Sequence, residues 1–223
     1  MQFGPPDADT LFRPGARRRR RDGPELMVEV ADVGTLHLAT GRLVAVDPFF
    51  IGPGFEHFAV PFTVTAAPGR YPVSLSLARR PGPGRTRSGT PMGRVAAVKL
   101  TISDAPVVAW ELALKPGEDP ASLQPREILG FVVDSGTGSL LDASAVPGLR
   151  RLGDPGLEWD DDSELDKVGS EILDRAAVNL VVDPVSGLNA VLFSCGLGDG
   201  VYPTWVGRTP TGELACFVAD LEL

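Results

Sequence analysis

Apolar residues alternate with polar or small residues along several stretches of this chain, and a period of two is typical of strands that bury one face. The clearest stretches are Phe58–Thr65 and Tyr71–Leu77, which flank the segment Ala66–Arg70. The Pro-Gly pair inside that segment suits the centre of a type II turn. The pattern therefore predicts a β-hairpin over residues 58–77, in which Pro61 confines the first strand to a sheet edge or a bulge.

Two further stretches, Ala96–Ile102 and Val108–Leu114, continue the alternation, so four strands in series predict an antiparallel meander. Alternation disfavours a parallel Rossmann-type sheet, whose strands are continuous apolar runs. Strand-like sequence returns near residues 177–182, 190–194, 201–206 and 213–221. Because 26 of the 223 residues are Gly and 21 are Pro, many turns and short elements are expected. We predict a mainly β fold of two antiparallel sheets.

One amphipathic helix is expected near residues 160–175, where Leu165, Val168 and Ile172 recur at helical spacing. The acidic run Asp160–Asp162 suits the N-terminus of that helix. The length of the chain fits one domain, which we place at residues 25–223. Residues 1–24 contain the run Arg17–Arg21 without apolar periodicity, and they are predicted to form a flexible, arginine-rich tail.

Charge and cysteine content restrict the expected partners and location. The formal net charge of −8 at pH 7 argues against nucleic acid, since a polyanion requires a concentrated basic face. The run Arg17–Arg21 leaves two interpretations open, a solvated tail or a segment that binds nucleic acid or acidic lipid. Neither a secretory signal nor a membrane span is recognisable, so no membrane association is expected. Two cysteines, Cys195 and Cys216, are too few for a disulfide framework, and a cytoplasmic location is expected.

Two glycine-rich segments that each contain an aspartate, residues 131–138 and 194–203, follow apolar runs. Clustered glycines indicate turns with positive φ, or the close approach of a ligand, a metal or a neighbouring strand. The first segment contains Asp134-Ser135-Gly136, but an aspartic protease needs two such strings and this chain has one. The string is also similar to the phosphate loop of actin-like and sugar-kinase ATPases, whose two α/β domains do not fit this length or alternation. We expect the two segments to lie together at one end of the domain.

The polar residues of these segments form the candidate site. Asp134 and Asp199 are the candidate catalytic residues. Asp134 and Asp142 are the candidate ligands of Mg²⁺ or Ca²⁺, which would activate water for hydrolysis of a phosphorylated or acyl substrate. Ligand binding is assigned to Asp47, Arg70, Tyr202 and Trp205. The alternatives are that the aspartates cap turns through their own side chains, and that the two aromatic residues belong to the core.

Cys195 also has two interpretations, because it ends an apolar run and precedes a glycine turn. It is either a nucleophile paired with a histidine or a small buried residue. The two histidines are His37, within an alternating strand, and His57, near Glu56. Neither neighbourhood specifies a dyad.

Four segments in order resemble a bacterial family catalogued as a domain of unknown function (domain of unknown function 4241). They read GRLVAVDP at 41–48, GRYPV at 69–73, VDSGTG at 133–138 and GDGVYP at 198–203. The resemblance runs from Gly34 to Leu221 and implies that these segments belong to one domain. It implies no activity, substrate or catalytic residue, and the arginine-rich start lies outside it.

Two functions from different classes remain as hypotheses. The first is a small-molecule or divalent-metal site at the Gly/Asp segments, with metal-assisted hydrolysis as its chemistry. The second is a non-catalytic acidic module that neutralises a basic protein partner through exposed Asp and Glu. Carboxylates that converge in a cleft would favour the first hypothesis, and exposed, scattered carboxylates would favour the second.

Overall fold

The computed structural model describes residues 4–19, 24–80, 93–124, 127–153 and 163–221, and within them the chain is mainly β with antiparallel sheets, as the alternation predicts. The strands are β1 (Arg17–Arg19), β2 (Glu25–Leu38), β3 (Leu43–Val46), β4 (Gly69–Arg79), β5 (Gly93–Thr101), β6 (Ala109–Leu112), β7 (Phe131–Val133), β8 (Thr137–Asp142), β9 (Ala177–Asp183), β10 (Leu188–Ser194), β11 (Gly200–Tyr202), β12 (Thr204–Arg208) and β13 (Leu214–Asp220). The α-helices are α1 (Ala8–Leu11), α2 (Val146–Leu152) and α3 (Glu164–Arg175), and single 3-10 turns occur at Glu56–Phe58, Pro120–Ser122 and Ala143–Ala145.

The strands form two sheets and a short ribbon around one main core. A curled seven-stranded sheet has the order β1-β2-β4-β5-β13-β12-β6, and a four-stranded sheet has the order β3-β8-β10-β9. The two-stranded ribbon pairs β7 with β11. The main core lies between the inner face of the large sheet and the other two, and its largest side chains are Phe131, Phe193 and Phe217.

Helices cover the outer faces of both sheets. Leu149 of α2 and Leu165 and Ile172 of α3 pack on the second face of the four-stranded sheet. Helix α3 confirms the predicted amphipathic helix, and Ser163 caps its N-terminus by accepting a hydrogen bond from the Asp166 amide. The acidic run 160–162 lies outside the described residues.

The predicted hairpin over residues 58–77 is wrong in its first strand. Phe58 ends a 3-10 turn, and residues 59–68 form no ladder. Phe62 is buried, but the segment bonds to three separate places through the amides of Phe62, Thr63 and Ala66. The alternation indicates that one side of this extended segment is buried, but the segment does not pair with β4, whose neighbours are β2 and β5. The meander order also ends at β5, because β13 and β12 separate β5 from β6.

Residues 4–19, which the sequence places in a flexible tail, are packed on the large sheet. Leu11 is buried on its outer face, and Arg17–Arg19 pair with the start of β2 as an edge strand. Gly15 and Ala16 extend this contact through main-chain hydrogen bonds to Val28. A buried leucine and an edge-strand pairing thus hold residues 4–19 against the large sheet.

Two asparagines join the large sheet to the small one along the edge of β2 that faces away from β4, where no described strand pairs with it. The Asn179 amide group donates to the Val33 and Thr35 carbonyls. Asn189 donates to the Thr35 carbonyl and accepts from the His37 amide. These side chains replace the main-chain partners that an adjacent strand would supply. We call this line of contact the seam.

Candidate functional site

Asp47 is the centre of the candidate site. It follows β3 and is fully buried, and its carboxylate accepts four hydrogen bonds. One oxygen accepts from the Phe49 amide at 3.0 Å and the Ser135 hydroxyl at 2.8 Å. The other accepts from the amides of Asp134 at 2.9 Å and Ser135 at 2.8 Å. Because each carboxylate oxygen accepts two hydrogen bonds, Asp47 fixes the loop 134–136 and has no free oxygen for a ligand.

The two Gly/Asp segments lie against each other, as expected from the sequence. The Cys195 amide donates to the Gly136 carbonyl at 2.8 Å, and a Cβ added to Gly136 would lie 4.0 Å from the Cα of Gly198. Gly136 and Gly198 have φ of +71° and +89°, a region that side chains disfavour. Gly196 is required for a different reason, because a Cβ at this position would lie 2.3 Å from the Val95 carbonyl oxygen. Turns and close packing thus explain these three glycines.

Asp134 and Asp199 each lie one residue beyond the same end of the ribbon. Val133 pairs with Gly200 and Val132 with Val201, so Asp134 and Asp199 are the next opposing positions beyond the paired residues. Successive side chains of a strand point to opposite faces. Phe131, Val133 and Tyr202 are buried, whereas Val132, Asp134 and Asp199 are exposed. We call the outward surface formed by Val132, Asp134, Asp199 and Val201 the ribbon face.

Asp142 does not join Asp134 around a metal. The two residues lie beyond the start and at the end of β8, whose six residues span about 17 Å. Asp142 is fully buried, and its carboxylate accepts hydrogen bonds from the amide and hydroxyl of Thr40 and of Ser144. Burial by itself would raise the pKa of Asp142, but these bonds outweigh it and the pKa lies below its ordinary value. Asp142 caps a turn, as the structural alternative proposed.

Arg70 also lies away from the ribbon face. It pairs with His37, and its guanidinium donates to the Gly187 carbonyl at 3.3 Å. Gly187 precedes β10, whereas Cys195 follows that strand of seven residues, so about 20 Å separates the two ends. Arg70 therefore does not converge with Asp134 and Asp199.

Tyr202 and Trp205 do not form the two walls of one pocket. Tyr202 is 2% exposed, packs in the main core against Phe131, and donates its hydroxyl to the Gly198 carbonyl at 2.8 Å. Trp205 is also buried, but it pairs with Val218, which belongs to the outer cluster of the large sheet. Opposing residues share a face, so the two aromatic rings belong to opposite sides of the large sheet. Both are core residues.

In the described parts of the chain, too few side chains come together to form a metal site. No group of three or more His, Cys, Asp or Glu side chains in those parts could hold a metal ion. Asp134 and Asp199 alone supply two carboxylates, and Ca²⁺ takes about six to eight oxygen ligands.

Residues 36–219 match the family described as protein of unknown function (DUF4241). The chain belongs to this family.

Within the family segment lie all the candidate residues, from Asp47 to Trp205. No curated protein and no solved structure matches the chain. In the described part of the chain, the helices are too short or too polar to cross a membrane.

The two buried thiols, Cys195 and Cys216, have raised pKa values that disfavour the reactive thiolate form. Burial, and next the negative charge of Asp47, raise the pKa of Cys195 far above its ordinary value. Burial raises the pKa of Cys216 to about 11. A thiol nucleophile needs the opposite shift, so both cysteines behave as small apolar residues. Burial likewise raises the pKa of Tyr202 to about 12, which keeps its hydroxyl a hydrogen-bond donor.

Sequence reasoning missed the residues that complete the two buried carboxylate clusters. Ser135 donates both its amide and its hydroxyl to Asp47, and Thr40 and Ser144 do the same for Asp142. Ser144 could have been found from its position two residues after an aspartate, which is the spacing of an Asx turn. Thr40 and Ser135 are distant from their carboxylates along the chain, and no local signal identifies them.

Proposed function

We propose that the protein is a non-catalytic binding module whose ribbon face binds a basic protein partner. The observation that supports this most directly is the position of two exposed aspartates, Asp134 and Asp199, at the same end of the ribbon, without an ion-pair partner among the described residues. Two like charges at neighbouring positions repel each other, and a Lys or Arg side chain placed between them would relieve that repulsion.

Apolar contact beside the carboxylates favours a protein over a free cation. Val132 is 40% exposed and pairs with Val201 directly beside the two aspartates. Leu197, in the neighbouring loop, is 43% exposed. Buried apolar contact with charged groups around it is the usual composition of a protein interface. The overall charge of −8 would also accelerate encounter with a basic partner.

Rigidity of the two loops supports the same proposal. Asp47 accepts a hydrogen bond from the Asp134 amide. In the second loop, the Gly198 amide donates to the Cys195 carbonyl, and the Gly198 carbonyl accepts from the Tyr202 hydroxyl. A surface that is ordered before binding loses less conformational entropy when it binds. The buried Asp47 is thus a positioning residue for the ribbon face and does not contact the partner.

Titration with a basic peptide tests the proposal. The variant Asp134→Asn with Asp199→Asn should bind a lysine-rich peptide about fivefold more weakly, since an exposed ion pair contributes about 0.2–1 kcal/mol. The control variant Asp9→Asn with Asp104→Asn makes the same change in charge at two other exposed aspartates. Equal weakening by both variants would show that only net charge matters, and the ribbon face would lose its role.

A small-molecule site at the same place, with metal-assisted hydrolysis, is the second proposal. The position of Asp134 and Asp199 at the same end of the ribbon also supports it, with Mg²⁺ or Ca²⁺ bound by the two carboxylates and with further oxygens from water or substrate. A ligand that binds the native state must raise its melting temperature. Thermal unfolding with Mg²⁺, Ca²⁺, EDTA and a panel of nucleotides distinguishes the two proposals, and an unchanged melting temperature throughout would reject this one.

A cytoplasmic location is proposed on the thiols alone. Cys195 and Cys216 are both free and buried, which suits a compartment that keeps thiols reduced.

A further inference from the structure

The edge of β2 is open for a short distance beside the seam. Strand β1 pairs with β2 only as far as Met27, and Val28 bonds Ala16 and Gly15 through its amide and carbonyl. In an antiparallel pair, residues alternate between bonding one neighbouring strand and the other. Val28 faces away from β4, so Val30, two residues further, also directs its amide and carbonyl away from β4.

No described strand continues along this edge. The N-terminal segment turns away at Gly15, and the seam begins only at Val33, whose carbonyl accepts from Asn179. Val30 is half-buried, and its main-chain groups have no partner among the described residues. The edge of β2 is therefore unpaired at Val30, between Val28 and Val33, whose main-chain groups both have hydrogen-bond partners.

A groove of about 420 Å³ runs beside the open edge. Its apolar lining comprises Ala31, Val33 and Leu75 of the large sheet and Ala177 and Val178 of β9. The groove therefore lies between the large sheet and the edge strand of the four-stranded sheet. The groove is thus wide enough for a few residues of extended chain with small or β-branched side chains.

The charge of the groove is negative. The Asp32 carboxylate accepts a hydrogen bond from the Gly34 amide and has no basic partner among the described residues. Glu171 and Arg175, which also line the groove, neutralise each other in an ion pair at 2.8 Å. One uncompensated negative charge therefore remains, on a chain of net charge −8. A second copy of this chain would bring like charge to this edge.

We propose that the open edge of β2 binds an extended segment of a basic partner as an added strand. The segment's main chain bonds Val30, its alternate side chains enter the groove, and a Lys or Arg side chain contacts Asp32. Strand addition of this kind takes affinity from main-chain hydrogen bonds and specificity from alternate side chains. The site is separate from the ribbon face and goes beyond the function proposed there.

Amide hydrogen exchange measured by NMR on the full chain provides the first test. In the free protein the Val30 amide should exchange much faster than the Val28 amide, which donates to Ala16. Equal protection of both amides in the free protein would overturn the proposal, because the edge would then be paired already.

Titration with the acetylated, amidated peptide Lys-Val-Lys-Val-Lys provides the second test. At saturation the Val30 amide should become protected, with chemical-shift changes centred on residues 29–33. The same peptide with an N-methylated central residue, and the peptide Glu-Val-Glu-Val-Glu, should not protect it. Shifts confined to Asp134 and Asp199 would support the ribbon face and overturn the β2 site, so the two proposals fail separately.

Variants of the edge complete the test. Val30→Pro removes an amide that the sheet does not use, and it should abolish the chemical-shift changes that the peptide causes at residues 29 and 31–33. Asp32→Asn retains the oxygen that accepts from Gly34 and should weaken the peptide about fivefold. Unchanged binding by Asp32→Asn, or concentration-dependent dimerisation in place of peptide binding, would overturn the basic segment as the occupant.

Discussion

Replacing Asp47 by alanine tests most directly how the glycine-rich loop after β7 is held against the end of β3. The side chain is fully buried and accepts four hydrogen bonds, three of them from main-chain amides. Alanine would leave those amides without an acceptor. Because residues 47–49 and 134–135 are otherwise distant in sequence, the variant should separate β3 from the loop that follows β7.

The expected loss of stability follows from the number of bonds. A hydrogen bond to a charged group contributes about 1.5–3 kcal/mol, and bonds that share one carboxylate do not add fully. Partial hydration of the exposed loop recovers some of the loss. We expect Asp47→Ala to lower the free energy of unfolding by about 3–5 kcal/mol, which is a large part of the roughly 5–15 kcal/mol of a typical protein.

Urea denaturation followed by circular dichroism measures this loss, and the melting temperature should fall by about 10 °C. Two variants act as controls. Ser135→Ala removes one of the four bonds and should cost about 1 kcal/mol. Asp47→Asn keeps one acceptor oxygen and should lie between the other two. A loss below about 1 kcal/mol for Asp47→Ala would refute the reasoning, because the carboxylate would not then be holding the loop 134–136.

Three further predictions concern the seam, the second buried carboxylate and the thiols. Asn189→Ala should lower the free energy of unfolding by about 2–4 kcal/mol, because the partly buried His37 amide loses its acceptor, and urea denaturation will measure this. The pKa of Asp142 is lowered in the folded state, so its stabilising contribution is present above its ordinary pKa near 3.8 and is lost as the pH falls through the folded pKa; denaturation at pH 7, 4 and 3 should show a smaller acid-dependent loss for Asp142→Asn than for the wild type. Cys195 and Cys216 should not react with a disulfide reagent at pH 8 until the protein is unfolded, and reaction of the native protein within minutes would contradict their burial and raised pKa.

Local sequence patterns predict those elements whose burial depends on one nearby face. The helix at 164–175 is an example, because Leu165, Val168 and Ile172 all contact the same sheet. The extended segment 59–66 shows the limit of the same reasoning. Its alternation correctly indicates that Phe62 is buried, but burial does not determine which strand supplies the hydrogen bonds. Pairing order in the large sheet depends on contacts between distant segments, such as β13 with β5.

The candidate site was predictable in its location but not in the roles of its residues. Glycine patterns marked the two loops, and these do lie together. Sequence alone could not show that Asp47 would face only donors from the protein, since Ser135 is 88 positions away. Nor could it show that β8 would separate Asp134 from Asp142. The sequence suggested that four aspartates lie close together, but in the structure Asp142 lies apart from Asp47, Asp134 and Asp199.

Burial divides the acidic residues of the site into two groups with different consequences for binding. A cation that approached Asp47 would have to displace hydrogen bonds that hold the loop 134–136, so binding there would oppose folding. A cation that approached Asp134 or Asp199 would displace only water and would reduce the repulsion between them. The buried Asp47 therefore fixes the main chain of Asp134, whereas the exposed Asp134 and Asp199 determine what can bind. A ligand of this face should accordingly raise stability in Asp47→Asn as well as in the wild type, whereas it should lose that effect when Asp134 and Asp199 are neutralised.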